Sequence, residues 1–466
     1  MPEADQEAGA PAPAAPTPGT PVAAAPAPQA PAPAGPPRGT FSRLLGFVGF
    51  GGARKDRDLS LDAIRGVAIL MAVGWHFNRP TGNVVLDALL APGRTIGWSG
   101  VDLFYVLSGF LVGGLLLGEL QATGRIQIGR FYSRRAWRLW PSYFLVLLFA
   151  WQWFRFVHPV LEGQRMHAPA LREMWPFFLQ IQNYYDIHTH NKLNIGAAMQ
   201  TWTMVSIIHF YIILPPLLLL LSKLSGRKGA ASVRALPWAV VAISIACFTM
   251  RWRAAPWRAD DYDAWKNYFP THLRFDEPMM GVLAAYWVIH ARPLVNRVMR
   301  CWPVVLLLSI GLLLPIALRT EEGPRFLLIW GYTAGALGCL GLVMIGWWLA
   351  QPRADGSVRP APLAVKCLAQ VGLWSYSIYL WHQPLAPLLA RKVRDKIFEL
   401  MTRRHLDPWH SQFQYLASAI VYFSIVLAIG VSMYYLLERP TLLLREKLVP
   451  RRAASSIESL LRQPHR

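Results

Sequence analysis

Apolar blocks of about helix length, separated by short polar and mostly basic stretches, organise the chain from position 59 onward. They fall near 61–77, 98–118, 137–157, 200–221, 237–251, 277–290, 301–318, 325–350, 367–390 and 413–437. A membrane helix needs about 20 predominantly apolar residues, and it keeps its backbone hydrogen bonds inside the segment, as lipid requires. The pattern therefore predicts an all-α polytopic integral membrane protein with about ten transmembrane helices. Trp137, Trp140, Trp151, Trp153, Trp202, Trp252 and Trp257 crowd the block ends, where interfacial aromatic anchors belong. The piece 175–185 is too short to cross and is expected to be re-entrant or interfacial. No repeat of fixed period is visible.

Residues 1–40 are Ala and Pro with scattered Gly and Thr and almost no large apolar groups. A segment of that kind cannot bury a core, so a disordered Pro/Ala-rich tail is expected over 1–55. It has neither the basic start nor the apolar run of a signal peptide. A membrane domain over 56–445 and a short basic tail over 446–466 complete the division.

Composition agrees with the pattern. Of 466 residues, 54% are hydrophobic and only 16% charged, and the mean hydropathy is +0.28. A soluble domain carries about 25% charged residues, which sets aside one large soluble helical domain. The net charge of +21 suggests nucleic acid at first sight, but the Lys and Arg sit between apolar blocks, where membrane topology and anionic headgroups call for them. No nucleic-acid partner is expected. With a cytoplasmic N-terminus, the inner side receives Arg125, Arg130, Arg134, Arg135 and Arg138, then Lys223, Arg227, Lys228 and Arg234, then Arg439, Arg445, Lys447, Arg451 and Arg452. That is the positive-inside arrangement of an inner (cytoplasmic) membrane protein. The loop 391–404, with Arg391, Lys392, Arg394, Lys396, Arg403 and Arg404, resists it. Either it packs as an amphipathic surface helix or the span count is off by one. Cys247, Cys301, Cys339 and Cys367 have no metal-ligand spacing and define no disulfide framework. His188 and His190 lack a third ligand, so no metal site is expected.

Ionisable side chains inside a bilayer are costly and mark functional candidates. Arg65 and His76 are eleven steps apart in the first block, hence about 20° apart in azimuth and about 16 Å apart along the axis. They share one face of one helix, with Arg65 at the cytoplasmic mouth and His76 near the far side. Asp102, near the outer end of the second block, is placed to orient or charge-stabilise a histidine; Ser108 follows in the same block. Arg135 and Arg138, three residues apart, share a face suited to an anionic group. Headgroup snorkelling is the plainer reading for the two arginines, and a structural interhelical hydrogen bond is the plainer one for His76. His382 sits beside an apolar block, as much structural as catalytic.

Together these segments resemble the acyltransferase-3 family of membrane O-acyltransferases. The resemblance rests on Arg65 and His76; on the run from Gly100 through Asp102 to Ser108-Gly109-Phe110; on Arg135-Ala136-Trp137-Arg138; on Thr271-His272-Leu273-Arg274-Phe275-Asp276; on Ser375-Tyr376-Ser377-Ile378-Tyr379-Leu380-Trp381-His382; and on Glu438-Arg439-Pro440. It implies ten membrane helices and transfer of an acyl group, most often acetyl, from cytoplasmic acyl-CoA to a hydroxyl of a cell-envelope glycan or other glycosylated acceptor. Acyl-CoA is then a co-substrate and no cofactor is bound. It also implies a catalytic His76 and essential or donor-binding arginines at Arg65, Arg135 and Arg138. On the residues themselves, His76 is read as general base or acyl carrier, with Asp102 orienting it and the three arginines holding the donor's phosphates. Where family members often carry two glutamates, this chain has Ile207 and Ile208, before His209-Phe210-Tyr211. A carboxylate role there has moved, to His209 or Asp276, or specificity is shifted, or activity is impaired. After Pro440 only a short basic tail follows, so the chemistry is expected within the membrane domain. The rival classes are a transporter using the same intramembrane charges, which would need broken helices or an internal repeat, and an inactive scaffold.

Overall fold

A computed structural model describes residues 58–77, 83–153, 156, 171–189, 198–226, 233–318, 323–352, 360–403 and 411–450. The expected tail over 1–55, and the C-terminal tail beyond Pro450, lie outside the described residues. Within them every regular element is helical and no strand occurs.

Each apolar block contains a helix: α1 Leu59–Trp75, α2 Gly100–Thr123, α3 Ile128–Gln152, α4 Thr201–Ser225, α5 Leu236–Ala254, α6 Asp276–His290, α7 Trp302–Leu318, α8 Tyr332–Leu349, α9 Leu363–Arg403 and α10 Ser411–Met433. Their ends follow local chemistry. Asp58 caps α1, its carboxylate accepting from the Ser60 and Leu61 N–H groups at 3.1 Å each, which satisfies donors a helix start leaves open. Gly124 and Gly226 stop α2 and α4 in the left-handed conformation, φ 67° and 61°, which glycine adopts without strain.

By length and composition, four described stretches are able to cross a membrane: Val84–Thr123, Thr201–Ser225, Leu327–Leu349 and Tyr415–Leu448. A fifth follows if Arg292–Met299 and Trp302–Ala317, bent by 81°, form one broken span. Helices α1 and α6 are shorter, at 17 and 15 residues. Large apolar side chains face outward on the bundle. On α5 they are Trp238, Val241, Ile245 and Trp252, and on α7 Val304, Leu307, Leu308 and Leu314. That surface suits lipid rather than water.

Glycines set the register where helices touch. A methyl group on Gly66 would overlap the Leu368 carbonyl oxygen, and one on Gly372 the Asp62 carbonyl oxygen. The two backbones can meet only because neither residue has a side chain, as at other close helix crossings in membranes. His76 lies ten residues past Gly66 and His382 ten residues past Gly372, about 15 Å in each case. Helices α1 and α9 thus run parallel, and the register carries the two histidines to one level. Gly109 and Gly281 play the same part between α2 and α6, against Pro278 and Val106.

Two segments left open by the sequence take definite form. The piece 175–185 forms two short helices, Trp175–Phe178 and Gln182–Thr189. Asn183, buried there, donates its amide to the carbonyls of Trp202 at 2.8 Å and Phe269 at 3.1 Å, tying the segment to α4 and the approach to α6. Of the two alternatives for the basic segment 391–404, the helix is the one found, as far as Arg403, the last described residue there. It continues α9, which at 41 residues is about 60 Å long. Lys396 and Arg403 bridge to Glu399 at 2.8 and 2.5 Å, the i,i+3 and i,i+4 pairs that support an exposed helix. The hydrogen bond from Lys396, with the charge of Arg403, holds the Glu399 carboxyl below the usual carboxylate range.

Candidate active site

His76 closes α1 as its C-cap, with an exposed ring. Its partners come from α9. The Gln383 amide nitrogen lies 3.1 Å from His76 Nε2 and 3.4 Å from Nδ1. The Gln383 carbonyl oxygen accepts from the Gln200 backbone N–H at 3.3 Å, and Gln200 donates its side chain to the Leu380 carbonyl at 2.8 Å. Tyr379 donates its hydroxyl to the Gln200 carbonyl at 2.9 Å and accepts from Thr203 Oγ1 at 2.7 Å. These bonds lock the start of α4 onto α9 beside the histidine. The His382 ring packs against His76, centroids 5.0 Å apart, and against Tyr379 at 5.6 Å.

The arginines collect at the other end of α1. Arg65 pairs with Asp62 at 2.5 Å. The Arg135 guanidinium lies over the Phe131 and Tyr211 rings at 5.3 and 5.2 Å. Arg65, Arg138 and Arg445 lie within electrostatic range of Arg135. Close by, Arg134 is bound to Glu446 at 2.7 Å, and the buried Glu438 accepts from Ser377 at 2.6 Å. Arg445 shares that Glu446 carboxylate, at 2.6 Å. The arginines here thus outnumber the carboxylates Asp62, Glu438 and Glu446, and such an excess of guanidinium groups attracts anions.

Asp102 has a different neighbour from the one expected. Glycines 97 and 100, just before it, pack on α1 between Ala68 and Trp75, so Asp102 enters the bundle below the level of His76. There it is fully buried and ion-paired with Arg274. Arg274 also donates Nε to Glu277 Oε1 at 2.9 Å, and its guanidinium is ringed by Tyr268 at 4.3 Å, Tyr332 at 5.1 Å, Tyr105 at 5.3 Å and Trp202 at 5.4 Å. Asp276 is gripped by Arg251 in a two-pronged pair at 3.0 and 2.8 Å. Asp276 is thus the partner of a buried arginine and does not face the histidine pair. His209 is half-buried and meets Thr271 Oγ1 at 2.9 Å, while Ile207 and Ile208 join the apolar core. Ser108 is half-buried beside the Gly109 crossing.

Sequence reasoning gave no site role to Arg251, Arg274, Glu277, Gln200 and Gln383, although Arg274 stood in one of its motifs. The first three carried a usable signal, being charged residues in or beside apolar blocks. The two glutamines carried none, because an amide next to a block end is ordinary. Among the described residues no group of three or more His, Cys, Asp or Glu is placed to hold a metal; the His188 side chain and His190 lie outside those residues.

A multi-helix membrane protein is defined by the fold, with a histidine pair at one end of a helix and an arginine cluster at the other. The family profile for the acyltransferase domain matches residues 58–435, and the chain belongs to that family. It is similar to the peptidoglycan O-acetyltransferase OatA of Listeria monocytogenes, 26% identical over 343 residues, which cover 71% of this chain and 49% of that protein. It is also similar to the O-acetyltransferase OatA of Staphylococcus aureus, 22% identical over 337 residues, covering 70% and 50%. The chain spans about half the length of these curated relatives. No solved structure matches it.

Proposed function

We propose that this chain is a membrane O-acetyltransferase of about ten crossings in the inner membrane, with its N-terminus cytoplasmic, moving an acetyl group from acetyl-CoA to a hydroxyl of a cell-envelope glycan. The observation that carries the reading is the separation on α1 of Arg65, within the arginine cluster, from His76, within the histidine pair. About 16 Å of helix divides them, of the order of an extended pantetheine arm. Phosphates held by Arg65, Arg135 and Arg138 on the cytoplasmic side leave the thioester free to reach His76 near the outer surface. The glycan acceptor is supported by the relatives, one of which is named for peptidoglycan. Helix directions at the glycine contacts fit a chain that crosses alternately, since α1 runs against α2 and along α9.

In this reading His76 takes the proton of the acceptor hydroxyl as its oxygen bonds to the acyl carbon. The carbon–sulfur bond breaks, and the leaving thiolate receives the proton. The test is a vesicle assay with labelled acetyl-CoA, followed by analysis of which envelope component gains label. Label in a glycan supports the reading. No transfer from an inserted protein, with or without uptake of a solute, overturns it in favour of a scaffold or a transporter.

A further inference from the structure

The hydrogen bonds around the histidine pair favour one placement of the proton on each imidazole. His382 Nδ1 lies 2.7 Å from the Tyr379 carbonyl oxygen. A carbonyl only accepts, so Nδ1 is the protonated nitrogen and Nε2 holds the lone pair. That Nε2 has no hydrogen-bond partner among the described residues, in a residue only 1% exposed. A buried acceptor left unpaired costs about 1–3 kcal/mol, and such groups are rare enough in proteins to need a reason. On the other ring, Gln383 is turned by the Gln200 N–H so that its amide nitrogen faces His76. An amide nitrogen only donates, so it favours the form of neutral His76 in which the nearer nitrogen, Nε2 at 3.1 Å against 3.4 Å for Nδ1, accepts and Nδ1 carries the proton. A donor imidazole and an acceptor imidazole are thus in ring contact.

We propose that His382 is the positioning residue for His76, filling the place a carboxylate takes beside other catalytic histidines, with its Nε2 receiving the His76 Nδ1 proton. The proposal rests on the acyl-transfer reading. It answers the question left by Asp102, whose carboxylate is taken by Arg274, and by the isoleucines at 207 and 208. During transfer the hydroxyl replaces Gln383 at His76 Nε2. The O–H bond breaks as the O–C bond forms and C–S breaks; His76 Nε2 gains the proton while Nδ1 passes its own to His382 Nε2. The resulting His382 cation is held by the Tyr379 carbonyl; its proton then returns to His76 Nδ1 as His76 Nε2 gives the hydroxyl's proton to the thiolate, which becomes a thiol. The contact between the rings closes in the loaded enzyme, as catalytic hydrogen bonds commonly do.

The experiment compares His382→Gln with His382→Glu in inserted full-length protein. A proton acceptor at 382 predicts that Gln lowers turnover about 10²-fold with the KM for acetyl-CoA within twofold, and that Glu recovers at least a tenth of wild-type turnover. His76→Ala combined with His382→Gln should be no worse than His76→Ala alone, because the pair acts as a unit. Gln equal to or better than Glu, or additive losses, would mean a packing role and overturn the proposal. A second readout needs no acceptor: carbethoxylation of His76 by diethyl pyrocarbonate, followed by mass spectrometry, should be about tenfold slower in His382→Gln. An unchanged rate overturns the proposal even if wild-type transfer is absent, whereas absent transfer with a slowed rate removes only the acyl-transfer reading.

Discussion

His76 and Arg65 share a helix face but should fail in different ways when removed. His76→Ala takes away the proton-transfer group and is expected to lower turnover by about 10²–10⁴-fold, with donor affinity nearly unchanged. Arg65→Ala removes a charge-assisted contact to phosphate, about 1.5–3 kcal/mol. That is about 10- to 150-fold in acetyl-CoA affinity, and Arg65→Lys should recover part of it because the charge stays while the planar fork is lost. Turnover and donor affinity measured in membranes at matched expression separate the two, and an Arg65→Ala effect on turnover alone would reverse the assignment. Arg251 is a residue of another kind. Its guanidinium is buried on the Asp276 carboxylate, and Arg251→Ala strands that charge, an expected loss of about 3–5 kcal/mol. Thermal unfolding in detergent should show a much lower midpoint, with any residual activity retaining a normal donor affinity.

At the scale of the helix, the contact between α1 and α9 is the sensitive feature. Gly372→Val drives a branched side chain into the Asp62 backbone, an overpacking worth about 1–3 kcal/mol. It should also spread the two helices and part the histidines. The expected outcome is turnover reduced at least tenfold in protein that still inserts; normal turnover would mean that the glycine contact does not set the register. The helices themselves were legible, since each apolar block is helical where described. The basic run after the ninth block was legible only as one of two alternatives, a surface helix or an error in the span count, because charge density is also the usual mark of a loop. It folds as helix through the pairs Lys396–Glu399 and Arg403–Glu399, which depend on spacing rather than on composition.

For the whole molecule, the parallel course of α1 and α9 puts the basic end of α9 beyond the histidine pair, away from the arginine cluster. With the N-terminus cytoplasmic, a cysteine replacing Lys396 should react with an impermeant thiol reagent on intact cells, and one replacing Lys447 only after permeabilisation, in a background with Cys301 and Cys367 replaced. Labelling at both positions from one side would break the alternating order of crossings. Sequence by itself determined the helical class, the basic segments and the Arg65–His76 pair, because a 3.6-residue period and the cost of charge in lipid are local properties. It also marked Asp102, but not what Asp102 does. Only the tertiary structure decided that Arg274 takes that carboxylate, that Asp276 belongs to Arg251, and that His382 and Gln383 face His76. Those partners are 172, 25 and about 306 residues apart in the chain, and a pairing across such distances is chosen by how helices pack at their glycines, which no local pattern records.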